Sequence, residues 1–315
     1  MIKKAEEAVQ QDIKIRMLIA GFPGIGKTTL ALSAPAPLHI DVDSGVTRIQ
    51  AQHRKDYIQP NQYEELLADL TPGNLSDYQT LVFDTGGRLL ELMKPWAIKQ
   101  SSANGQSNGT LSLKGYGAVG REFNRIMDFA YYELKKHVVV LFHAKEERDD
   151  DATRLRILVE GATKDNVWQP MDLGGFMEMN GKKRTIGFSN CERYFAKGTH
   201  GVNGIWEIPD VSDAPNDFLS NLFAKVQENV RQEAAIYGSA KTEYDAVMAR
   251  LRPMVENMTV EEIDAVTKAI KETSHALTSE KELKALFAAR LKAIGLRWDK
   301  EAKQYAPILD DRKPA

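Results

Sequence analysis

The sequence predicts an α/β protein with a mainly parallel sheet, followed by a C-terminal helical region. Three observations lead there. Short apolar runs alternate with segments of helical periodicity up to about residue 144, the pattern that buries parallel strands between helices. The stretch GFPGIGKTT, residues 21–29, fits G-x-x-x-x-G-K-[ST], with Gly21, Gly26, Lys27 and Thr28 in the fixed places between an apolar run and a helical one. From about residue 215 the chain reads as one helix after another.

In chain order, IKIRMLIA (13–20) reads as a buried strand, and KTTLALSA as the helix after the glycine-rich loop. PLHIDVD (37–43) is a second strand ending in acids, residues 62–70 are helical, TPGN marks a turn, and YQTLVFD (78–84) is a third strand. GRLLELMKPWAI (87–98) reads as a helix ending near Pro95, since proline removes an N–H and crowds the preceding turn. SSANGQSNGTLSL (101–113) has the composition of a flexible loop, and residues 118–136 return to helical spacing. HVVVLFHA (137–144) is the most β-branched run and the fourth strand.

EERDDDATR then reads as a charged loop, and residues 166–198, with RTIGFSN and RYFAKG, as short strands and turns; GIWEIP (204–209) adds another strand. Thr259-Val-Glu-Glu262 and Ser279-Glu-Lys-Glu282 read as capping boxes, Gly295 as a helix stop and LRWDKEAKQYAPI as a small hairpin. The expected divisions are an N-terminal segment (1–12), a core (13–212), a helical region with its hairpin (213–309) and a flexible tail (310–315).

Composition excludes several classes. The chain has 315 residues, 43% hydrophobic and 27% charged, as in ordinary globular proteins. A net charge of −2 gives no overall basic field, so nucleic-acid binding requires a local patch. The single cysteine, Cys191, excludes an intrachain disulfide and a cysteine-based zinc site, suits a reducing compartment, and reads as structural. MIKKAEEAVQQD has no hydrophobic signal core, and no run approaches the roughly 20 apolar residues of a membrane helix. The expectation is a cytoplasmic protein without a membrane partner.

The glycine-rich loop predicts a nucleoside triphosphate site built by Phe22, Pro23, Gly24, Ile25, Gly26, Lys27, Thr28 and Thr29. Its backbone N–H groups and the start of the helix would hold the β- and γ-phosphates, with Lys27 adding a cation and Thr28 a hydroxyl for Mg²⁺. Asp84, ending an apolar strand, is the expected second partner of Mg²⁺. Hydrolysis needs a carboxylate to orient water, yet Thr85 follows Asp84, so the acid must come from Asp41 or Asp43 at the end of the second strand. Strand alternation points both the same way, and Asp43 is preferred as the more C-terminal. For nucleic acid, residues 88–125 offer Arg88, Lys94, Lys99, Lys114, Arg121 and Arg125 around a Gly/Ser/Asn loop, with Tyr116 able to stack on a base. Lys182, Lys183 and Arg184 in MNGKKRTIG read as a hairpin turn kept soluble by charge.

Together the P-loop, the carboxylate on the next strand and a strand-end Asp84 without a following Glu resemble the RecA-like P-loop NTPase core. LHIDVDSG is similar to the RecA strand that delivers the catalytic acid, with Asp43 where RecA has Glu. KGYGAVGREFNRIMDFAY (114–131) resembles the segment leaving the first DNA-binding loop, and VVVLFHAKEER the strand that ends in a γ-phosphate sensor, with His143 where RecA has Gln. YFAKG places Lys197 like a lysine that reaches a neighbour's nucleotide. GxPGxGKTT, the D-x-D strand, the strand ending DT and the strand ending HAK together resemble phage-encoded RecA-like ATPases that act as single-strand annealing or recombination proteins.

The resemblance covers residues 13 to about 200 and implies an ATPase with ATP and Mg²⁺ as ligands. It implies single-stranded DNA as a partner, a homo-oligomer (ring or filament), possible contact with a single-strand-binding protein, and the host cytoplasm as location. Two alternatives remain: a nucleotide-dependent loader or switch that recruits a helicase or single-strand-binding protein, and a small-molecule P-loop kinase, against which the absence of an Arg-rich lid counts.

Overall fold

The computed structural model describes residues 12–149, 152–159, 166–212, 215–299 and 304–308. The expectations for residues 1–11, 160–165 and the 310–315 tail lie outside them. Contacts divide the chain into two units, with the break between Asn229 and Val230.

In the first unit, β1 (Arg16–Gly21) leads through the P-loop into α1 (Lys27–Ala31), β2 (Pro37–Asp41), β3 (Tyr57–Ile58), α2 (Tyr63–Asp69), β4 (Thr80–Asp84), α3 (Gly86–Gln100), α4 (Leu113–Asp128) and β5 (His137–Asp149). The chain continues as β6 (Ala152–Ile157), β7 (Leu173–Asn180), β8 (Lys183–Gly187) and β9 (Ile205–Ile208). The sheet order among the described residues is β3-β2-β4-β5-β1-β7-β8-β9, with β6 paired to the outer part of β5. Strands β3 through β7 along this order pair in parallel, while β5–β6, β7–β8 and β8–β9 are antiparallel. The strand carrying His143 thus separates the P-loop strand from the strand carrying Asp84.

Alternation along β1 and β5 sorts the apolar residues to the two faces of the sheet. Leu18, Ala20, Val138, Val140 and Phe142 pack under α2, α3 and α4 with Leu66, Leu89 and Phe123. Met17, Ile19, Val139 and Leu141 pack with Leu30 of α1. Leu219, Leu222, Phe223 and Val226 join the same cluster from the start of α5 (Phe218–Glu256). That packing moves the boundary of the first unit to residue 229, beyond the 212 expected from sequence.

Several local expectations are corrected. Helix α3 runs through Pro95. Pro95 and Glu91, one turn before it, both lie on the exposed side of the helix, while Leu89, Leu90, Met93 and Ala97 stay buried. The 101–112 segment is ordered by its own polar groups. Asn104 Nδ2 donates to the Ala97 carbonyl at 2.8 Å, and Gln106 Nε2 to that of Leu111 at 2.7 Å. Ser112 then caps α4, accepting from Gly115 N, so the helix starts five residues before the spacing suggested. The charged EERDDDATR stretch is mostly a β-hairpin, with Lys145 opposite Arg156 and Glu147 opposite Arg154. Cys191, expected to be structural, is exposed.

The second unit has its own core. Val247, Leu251, Val255 and Met258 from the end of α5 and just beyond meet Ile263, Val266 and Ile270 of α6 (Ile263–Glu272) and Leu283 and Leu291 of α7 (Ser279–Ala293). Gly295, at φ 77°, ends α7 before the hairpin β10 (Leu296–Asp299) and β11 (Gln304–Pro307). The α7 cap is Thr278, whose hydroxyl donates to Glu282, one residue before the expected Ser279, which is buried.

Candidate nucleotide site

Gly24 and Gly26 adopt φ of 77° and 97°, a left-handed conformation that only glycine takes without strain, and this curls the loop between β1 and α1. Lys27 is buried, and its Nζ donates to the carbonyls of Gly21 and Phe22, both at 2.9 Å. It also lies 3.3 Å from His143 Nδ1. Burial pushes the ammonium down to about 8 despite the nearby Asp84 carboxylate. His143 sits opposite Gly21 in the β1–β5 register, and burial, then the Lys27 charge, lowers its pKa below the usual imidazole value.

Thr28 Oγ1 donates to Asp84 Oδ2 at 2.7 Å. The same oxygen lies 3.3 Å from Nε2 of the fully buried His39. Burial alone would raise the Asp84 carboxyl, but the hydrogen bonds from His39 and Thr28 prevail and hold it below the usual range. A hydroxyl beside an ionised carboxylate is a hard-oxygen pair that fits Mg²⁺, an ion that keeps waters and substrate phosphates as its other ligands. No cluster of three or more His, Cys, Asp or Glu fit for a metal exists among the described residues, so such an ion would depend on the nucleotide's oxygens.

The two acids of the D-x-D stretch do different work. Strand β2 ends at Asp41, so alternation stops before Asp43. Asp41 is buried and accepts from Gly45 N at 2.7 Å, Val46 N at 2.9 Å and Gln59 Nε2 at 2.6 Å, fixing the loop that follows. Asp43 borders the nucleotide cavity instead. Its Oδ2 accepts from Arg48 Nη2 at 2.7 Å, and its Oδ1 lies 3.9 Å from Arg88 Nε.

The cavity of about 480 Å³ is lined by Pro23, Gly24 and the P-loop from Gly26 to Leu30, by Asp43, Arg48, His53, Asp84 and His143, by Arg184, and by the segment leading into α5, whereas Phe22 and Ile25, expected at the site, do not line it. Asn216 Nδ2 ties that segment to the P-loop, donating to the Thr29 carbonyl at 2.7 Å. A second cavity, of about 860 Å³, also borders Asp43 and His143. Arg88, Lys94, Tyr116, Lys145 and Arg156 line it, together with Glu91 and Glu147.

Of the residues proposed for nucleic acid, Arg88 and Tyr116 are therefore brought together. Lys114 and Arg121 are exposed on α4, seven residues apart and so on similar faces. Lys99 turns away to Glu64, at 2.9 Å. Lys197 donates to the Met171 carbonyl at 2.5 Å within its own chain. His39, Arg48 and Arg184 were not foreseen at this site. The histidine gave no signal inside PLHID, Arg48 is brought back by the turn that Asp41 caps, and Arg184 is brought by sheet order.

No helix among the described residues is long and apolar enough to cross a membrane. No curated protein matches the chain. A crystal structure of the RadB recombinase is similar over 57% of this chain and 82% of that chain, at 14% identity and a TM-score of 0.34, a likeness that carries no functional information. The family model AAA_24, described as an AAA domain, matches residues 13–200, which hold the P-loop, Asp43, Asp84 and His143. By that match and this site, the chain belongs to the AAA-domain family AAA_24, as a P-loop NTPase.

Proposed function

We propose that the chain is an ATPase that binds single-stranded DNA and promotes annealing or strand pairing in phage recombination or replication, acting as a homo-oligomer. The observation that carries this reading is the meeting of two cavities at Asp43 and His143. In the nucleotide cavity, Lys27 leaves the Gly21 and Phe22 carbonyls for the β- and γ-phosphates, which also separates it from His143. Thr28 and Asp84 would hold Mg²⁺, which would supply positive charge beside the phosphate oxygens. Asp43 Oδ1, beside the Oδ2 engaged by Arg48, takes a proton from the attacking water.

The second cavity receives the DNA. Arg88, Lys94, Lys145 and Arg156 answer its phosphates, and Tyr116, 37% exposed, offers a ring to a base. Lys114 and Arg121 extend the basic track along α4. Lys94, at 2.6 Å from Glu91, and Lys145 and Arg156, at 3.8 and 3.9 Å from Glu147, exchange those partners for phosphate. His143 lies between the two sites and reports γ-phosphate to the DNA side. Lys197 would act on a neighbour's nucleotide only after leaving Met171.

The test is ATP hydrolysis with and without single-stranded DNA, with Lys27→Ala as blank. Severalfold stimulation that Arg88→Ala removes supports the reading. No stimulation, with no DNA binding in ATP or a non-hydrolysable analogue, refutes it. The helical unit with its own core favours a second reading, a nucleotide-dependent loader that recruits a helicase or single-strand-binding protein. A loader would leave the annealing rate of complementary strands unchanged.

A further inference from the structure

The cations near the P-loop are not equivalent. On the β7–β8 hairpin, Lys183 is paired with Glu207 at 2.8 Å, and Glu178 with Arg193 of the segment that follows β8 at 3.2 Å. The Arg184 side chain has no ion pair or hydrogen bond among the described residues, and it lines the nucleotide cavity together with Asp210. Sheet order explains how it arrives. Gly21, the last residue of β1, pairs with Met177, while β7 continues to Asn180 and returns as β8, so the hairpin overhangs the P-loop. The Arg184 Nε lies 3.5 Å from where a Cβ on Gly26 would stand. Asp84 reaches the loop from β4, two strands to one side of β1, and Arg184 from β8, two strands to the other.

Resting on the nucleotide-site reading above, we propose that Arg184 is a nucleotide-binding residue whose guanidinium takes α- and β-phosphate oxygens on the side of the P-loop opposite Thr28 and Asp84. The charge balance favours it. A bound triphosphate meets the Asp84 and Asp43 carboxylates on the metal side, and Lys27 is the P-loop's own cation. A planar guanidinium with free donors, bordering the cavity, matches a pair of phosphate oxygens. It also gives a role to the unpaired hairpin cation next to Gly26; Lys182, at the hairpin's turn, likewise has no carboxylate partner among the described residues but does not line the cavity.

The experiment is titration of a fluorescent ADP, with unlabelled ADP and adenosine as competitors, on the full chain and on Arg184→Ala, Arg184→Lys, Lys183→Ala and Lys27→Ala. Arg184→Ala is expected to weaken ADP about tenfold or more, the scale of a charge-assisted bidentate contact, without changing adenosine. Arg184→Lys recovers only part of the loss, and Lys183→Ala binds as the parent. ADP affinity unchanged in Arg184→Ala, or an equal loss for adenosine, overturns the proposal. If Arg184→Ala loses only single-stranded DNA binding, the hairpin serves DNA and the proposal also fails. Should Lys27→Ala bind ADP as tightly as the parent, the nucleotide-site reading itself has failed, a result distinct from a failure at Arg184 alone.

Discussion

His137 makes the fold sensitive to acid through a single proton. It begins β5, is 8% exposed, and stacks on Phe223 with ring centroids 4.9 Å apart. Its Nδ1 accepts a hydrogen bond from Ile15 N at 3.1 Å, just before the P-loop strand. The neutral ring fits this arrangement, whereas protonation would set a donor against a donor. Burial, with Lys14 adding to it, pushes the pKa from 6.5 down to about 4.

The folded state therefore binds fewer protons than the unfolded state between pH 4 and 6.5. The contribution is fully present above pH 6.5 and is lost as pH falls to 4. From those two values, linkage gives a loss of about 2 kcal/mol between pH 7 and 5 and about 3 kcal/mol by pH 4. The perturbation is His137→Asn, whose amide oxygen can still accept from Ile15 but does not titrate. Urea unfolding is followed by fluorescence of Trp96, Trp168 and Trp206, all within the first unit. Because other groups titrate too, the readout is the difference between parent and variant. The parent's advantage should fall by about 2 kcal/mol from pH 7 to 5. A difference that stays constant with pH would refute the reasoning.

Three further outcomes are expected. Lys27→Met abolishes nucleotide binding yet stabilises the nucleotide-free protein by about 1–2 kcal/mol at pH 7, because burial of the ammonium outweighs its two carbonyl hydrogen bonds. With a folded pKa of about 8 against 10.5, the parent gains stability as pH rises through that window, so melting at pH 7 and 10 should show the gap narrowing. Asp43→Asn should keep ATP binding and slow hydrolysis about 100-fold, whereas Asp41→Asn should cost about 1–3 kcal/mol of stability in urea, since Asp41 accepts three hydrogen bonds. Gly86→Ala places a Cβ 2.4 Å from the Phe142 ring and should lower stability by about 1–3 kcal/mol, measured by thermal melting.

What the sequence determined by itself was local and periodic. The spacing of Gly21, Gly26, Lys27 and Thr28 specified the phosphate loop because its geometry is set within nine residues. Alternation in β1 and β5 specified buried parallel strands, and Asp84 at the end of an apolar run lies within hydrogen-bond distance of Thr28. Gly295 stopped a helix because a left-handed φ was needed there. Where composition was the only guide, it misled. The Ser/Gly/Asn loop is held by its own amides, and the acidic stretch after the HAK strand pairs with itself across a hairpin.

Tertiary structure alone decided which chemistry meets at the site. Asp41 and Asp43 are two residues apart, yet one is committed to backbone amides and the other faces the cavity, because the strand ends between them. His39 reaches Asp84 across neighbouring strands, and Arg184 reaches Gly26 from a hairpin more than 150 residues later. Such meetings depend on strand order and on how far one strand outruns another. Neither leaves a trace in the local sequence, because the residues involved need only suit their own strand to be placed there.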